Sequence, residues 1–95
     1  MYELPLPAKL ESERWKVKIW DNEIRESPHI TIVRKTQKWR WGLRERAFMD
    51  KEPDPSLVAQ EVMDEVNGQY LLLCNEWDRI HPDNPVVGLM ENEDE

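Results

Sequence analysis

The sequence predicts an α+β fold, a three- or four-stranded antiparallel sheet with one long C-terminal helix packed on its Trp-rich face. Two stretches and the signal between them predict it. Over residues 14–46 apolar and basic residues alternate with period two, and over residues 58–80 apolar residues recur every three or four positions. Between them Asp54-Pro55 supplies a capping carboxylate followed by a residue with preset φ, the chemistry of a helix start.

The first predicted strand alternates Trp15, Val17 and Ile19 with Arg14, Lys16 and Lys18. The second alternates Ile30 and Ile32 with His29, Thr31 and Val33, and the third alternates Trp39, Trp41 and Leu43 with Lys38, Arg40 and Arg44. Successive strand side chains point to opposite faces, so the pattern describes an apolar, Trp-rich face and a cationic one. Pro5 and Pro7 fix φ and remove two backbone donors, which predicts an extended N-terminal arm over residues 1–13. Residues 21–28 form a polar connection, and Arg34 to Lys38 holds no Gly or Asn-Gly. A turn longer than two residues, with a cationic tip, is therefore expected there. A short fourth strand through Ala47, Phe48 and Met49 would complete the sheet.

The helical stripe runs Val58, Val62, Val66, Tyr70, Leu73, Trp77 and Ile80, with Glu61, Asp64, Glu65 and Glu76 off it. Gly68 disfavours the middle of a helix, but the stripe stays in phase across it, so one continuous helix is expected. Pro82 ends that helix. Val86 to Met90 reads as an edge strand or docking tail and Glu91 to Glu95 as a disordered acidic tail, leaving a single domain over residues 1–90.

No apolar run approaches the roughly 20 residues of a membrane span, and the N-terminus has no apolar stretch fit for secretion, so a soluble cytoplasmic protein is expected. Cys74 is the only cysteine, which excludes an internal disulfide and the Cys-rich zinc frameworks. No metal site and no small-molecule cofactor are expected; the carboxylates Glu61, Asp64 and Glu65 read as a solvated helix face. Cys74 and His81 lie about 10 Å apart along a helix, too far to share a proton. The net charge of −7 conceals an asymmetry: residues 1–47 hold 11 Lys and Arg against 7 Asp and Glu, and residues 48–95 hold 2 against 13. A local positive patch can therefore coexist with an acidic whole.

The candidate binding residues are the cations of the polar sheet face and its hairpin tip, Lys16, Lys18, Arg34, Lys35, Lys38, Arg40 and Arg44, with His29 at the strand entrance. Cations projecting in register from neighbouring strands repel one another unless an anion is near, which points to an acidic protein partner or RNA. The same face can instead serve solubility alone, as strand lysines often do. Trp39 and Trp41 share parity with Leu43 and read as core, whereas Trp20 has the opposite parity to Ile19 and is the candidate for an exposed ring. His29 beside cations is the one candidate catalytic residue, a general acid or base of an endoribonuclease-like reaction. No second proton-transfer group is fixed by spacing.

Ser27-Pro28-His29-Ile30-Thr31 and Asn75-Glu76-Trp77, within the order strand, acidic loop, strand, strand, helix over about residues 14–80, resemble a family of short uncharacterised prokaryotic proteins. These carry a Pro-Pro-His-Phe-His signature on the second strand and are often encoded beside a small partner in a toxin–antitoxin-like pair. Ser27 stands at the signature's first proline and Thr31 at its second histidine, so the resemblance implies a two-protein module and no histidine-pair chemistry. The residues and the resemblance together predict a small binding or regulatory protein. An endoribonuclease-like toxin and a purely structural assembly module are the alternatives, and a homodimer is left open.

Overall fold

The computed structural model describes residues 1–22 and 26–86. Its elements run β1 (Tyr2–Glu3), α1 (Ala8–Ser12), β2 (Trp15–Ile19), β3 (His29–Arg34), β4 (Gln37–Gly42), β5 (Ala47–Phe48), a 3-10 turn (Pro55–Leu57), α2 (Gln60–Gly68) and α3 (Tyr70–Ile80). The five strands form one antiparallel sheet whose spatial order is the sequence order. The predicted fourth strand is β5, and β1 adds a strand that the sequence pattern does not announce. Residues 87–95, which hold the predicted acidic tail and nearly all of the predicted edge strand, lie outside the described residues, as do residues 23–25 of the polar connection.

Register follows hydrophobic parity. Val17 faces Ile32 and Ile32 faces Trp39, while Ile30 faces Trp41. These residues are buried with Trp15, Ile19 and Leu43, and Val62 and Val66 of α2 and Leu73, Cys74 and Trp77 of α3 join them in one core. Leu4, Leu6 and Leu10 extend that core from the N-terminal segment.

Three local expectations are corrected. The arm is not extended throughout: Pro7 occupies the N-cap of α1, where no backbone donor is required, and the chain turns helical directly after it. The β3–β4 connection is two residues long, with Arg34 facing Gln37. Lys35, at the first central position, takes φ 56°, a value turns of the primed kind usually give to Gly or Asn. Finally, the single long helix is two. Asp54 does cap, its carboxylate accepting from the Ser56 amide at 2.9 Å, but it caps the 3-10 turn, and α2 starts at Gln60. After Gly68 the backbone leaves helical geometry at Gln69 (φ −111°, ψ 24°) and re-enters it at Tyr70. Gln69 N–H still reaches the Glu65 carbonyl and Leu73 N–H the Gln69 carbonyl, so α3 follows α2 directly, and Val62, Val66, Leu73 and Trp77 still meet in one core. No helix among the described residues is long and apolar enough to cross a membrane.

Candidate anion-binding face

The face of the sheet opposite Val17 and Ile32 carries two rows set by register. One runs Glu3, Lys18, Thr31 and Arg40; the next runs Lys16, Val33 and Lys38. At the β2 side, α1 ends and Arg14 takes φ 72°, the left-handed position after a helix C-cap that commonly falls to Gly, with its amide on the Glu11 carbonyl at 2.9 Å. The geometry brings Arg14, Lys16, Lys18 and Lys35 around a cleft of about 280 Å³ lined also by Glu11 and Val33. Two of its four cations thus stand on residues with the left-handed backbone that favours Gly. Among the described residues no carboxylate pairs with any of the four, nor with Lys38.

Arg34, Arg40, Arg44 and Arg46 are engaged inside the protein. Arg34 lies over the Trp15 ring at 4.9 Å and donates from Nε to the Glu13 carbonyl at 3.1 Å. Arg40 donates to both oxygens of Asp50, at 2.8 and 2.6 Å, and to Glu26. These bonds hold its guanidinium firmly protonated. Arg44 donates to the Asn84 side chain and the Pro85 carbonyl, each at 3.1 Å. Arg46 covers the Tyr70 ring at 4.1 Å and donates to Asn67.

His29 does not join the cleft. Its residue is 1% exposed, its ring lies 5.5 Å from that of Trp77, and Nδ1 donates to the Ser27 carbonyl at 2.7 Å. Strand parity put it on the cationic face; the strand's entrance is instead covered by residues remote in sequence. Of the eight predicted binding residues, then, Lys16, Lys18 and Lys35 share the cleft and Lys38 flanks it across Val33. Arg34, Arg40 and Arg44 brace the fold, and His29 is buried. Arg14 was missed as a binding residue, because its place depends on the helix that Pro5 and Pro7 argued against.

Trp20 follows β2 on the side of Lys18, whose Nζ sits 5.0 Å from the ring centroid. Its carbonyl accepts from His81 Nε2 at 2.7 Å, and the His81 ring stacks on Trp77 at 3.9 Å. Cys74 is buried, and desolvation pushes its thiol above the ordinary value, so it offers little thiolate at neutral pH. No group of His, Cys, Asp and Glu suited to a metal ion occurs among the described residues.

The Arg40 hydrogen bonds hold the Asp50 carboxyl below its ordinary value. A carboxylate depressed in the fold contributes stability that is complete above its unfolded value, near 3.9, and lost as pH falls through the folded one. Asp50→Asn should therefore lower the melting temperature by a margin that is constant from pH 7 to about 5 and vanishes in stronger acid. Thermal melts of both proteins across this range check it, and a margin that persists undiminished below pH 2 would contradict it. Comparison of the chain with protein-family models, curated proteins and solved structures gives no match.

Proposed function

We propose that the chain is a cytoplasmic binding protein that holds an acidic protein or RNA in its cationic cleft, as one member of a two-protein regulatory pair of the toxin–antitoxin kind. The observation that carries the reading is the division of labour among the cations. Arg34, Arg40, Arg44 and Arg46 have partners inside the protein, whereas Arg14, Lys16, Lys18 and Lys35 converge on one cleft without a paired carboxylate among the described residues. Solubility alone does not require convergence. The net charge of −7 is no obstacle, because at about 0.1 M salt charges more than roughly 10 Å from the ligand are largely screened. The regulatory pair rests on the resemblance of residues 27–31 and 75–77. Binding is favoured over catalysis because the buried His29 is out of reach of an anion in the cleft.

Charge reversal at Lys16 and Lys35 should weaken polyanion binding by about 10-fold or more at low salt and flatten its dependence on log salt by about 1 to 2, because fewer counterions are released. Both side chains are exposed, so folding should be spared. Fluorescence anisotropy with labelled oligonucleotide and polyglutamate at several salt concentrations reads the effect. Unchanged affinity for both probes would remove the cleft from function. Coexpression with the product of the adjacent gene, followed by affinity purification, tests the pair.

A further inference from the structure

We infer that the ligand of the cleft is a single-stranded nucleic acid, whose phosphates lie on Arg14, Lys16, Lys18 and Lys35 while one base stacks on Trp20. The inference rests on the anion-binding reading above and narrows it to one class of polyanion.

Lys16, Lys18 and Trp20 occur at every second residue, so they project to one side of the chain at intervals of about 7 Å. The contact of Lys18 Nζ with the Trp20 ring fixes that common side. The cleft and the indole are therefore one continuous surface with Lys18 at the junction. Trp15, Trp39, Trp41 and Trp77 are buried, and Trp20 is the indole with access to solvent. It is held from behind, its carbonyl on His81 Nε2 and His81 on Trp77.

An aromatic ring beside a row of cations gives no advantage with carboxylates but offers a stacking face to any base. Three of the four cleft cations are lysines, ammonium point charges on flexible stems that can follow the phosphates of a backbone without a fixed fork geometry, so the choice between phosphate and carboxylate falls to the ring. A duplex keeps its bases stacked inside and would leave Trp20 without one, so the strand must be single. Glu11 in the cleft and Glu3 opposite Lys18 discourage a second row of phosphates. In the free protein Lys18 lies over the ring; a phosphate that draws its ammonium away uncovers the face on which the base then stacks.

The test uses the full chain with oligouridine and oligothymidine of about ten nucleotides and with polyglutamate, followed by anisotropy and by intrinsic indole fluorescence. Both strands should bind more tightly than polyglutamate and quench the wild-type emission, and Trp20→Phe should remove most of that quench while keeping most of the affinity. Trp20→Ala should weaken strand binding by about 5- to 100-fold and leave polyglutamate binding unchanged. Preference for oligouridine would identify RNA as the source of the strand, and equal affinity would admit DNA as well. Strand binding untouched by Trp20→Ala, absence of quenching, or polyglutamate bound as tightly as the strands would overturn the inference while leaving the anion-binding reading in place. Insensitivity of every probe to charge reversal at Lys16 and Lys35 would overturn both. Should Trp20→Ala fail to fold, the quench and its loss in Trp20→Phe decide alone.

Discussion

Trp77→Ala should destabilise the protein by about 3 to 5 kcal/mol, the usual cost of emptying a buried tryptophan site. The side chain is 0% exposed, its ring meets both His29 and His81, and Nε1 donates to the Asn84 carbonyl at 2.8 Å. One residue thus joins the entrance of β3, the end of α3 and the turn after it. Native domains have about 5 to 15 kcal/mol in all, so the variant should melt roughly 15 to 30 °C lower or not fold at 37 °C. Trp77→Phe, which keeps a ring and loses the hydrogen bond, should cost clearly less. A Trp77→Ala protein that melts within a few degrees of wild type would show that this side chain is not the keystone described.

A loss of similar size, again about 3 to 5 kcal/mol, is expected for Trp39→Ala, with a different local consequence. Trp39 is 1% exposed, lies 5.8 Å from the Trp15 ring and donates from Nε1 to the Asp54 carbonyl at 3.1 Å. It therefore pins the segment leading into the 3-10 turn onto the sheet. Trp39→Phe should retain most of the stability yet speed amide exchange around Asp54 to Leu57. A double-mutant cycle with Trp15 should return a coupling of about 0.5 to 1.5 kcal/mol from the ring pair. Additive losses, or exchange confined to the sheet, would contradict that arrangement.

Much of the sheet is legible in the residues because period-two alternation is a local property. The parity of Trp15, Val17, Ile30, Ile32, Trp39 and Trp41 corresponds to their burial in the structure. The misreadings arise where a residue adopts geometry it rarely takes or where the partner is distant. Nothing in Lys35 announces φ 56°, so the two-residue turn was invisible. The joint at Gln69 escaped because α3 follows α2 directly and the apolar residues of both helices still meet in one core. Charges can be counted from sequence, but that Arg40 is committed to Glu26 and Asp50 while Lys16 is not depends on which loops fold over which strand. His29 shows the same limit, its burial depending on Trp77 in another element.

The two margins of the sheet, β1 and β5, are each two residues long, while the longer strands lie inside. Strand addition needs a row of free amides and carbonyls; beyond β1, Pro5 and Pro7 contribute no amide, and β5 follows directly on a turn and ends in a bend at Met49. The described sheet therefore offers little template for edge-to-edge aggregation or for capture of an extended peptide as an extra strand. Recognition is directed to side chains standing on the face, where sequence changes can tune affinity without touching the backbone ladder.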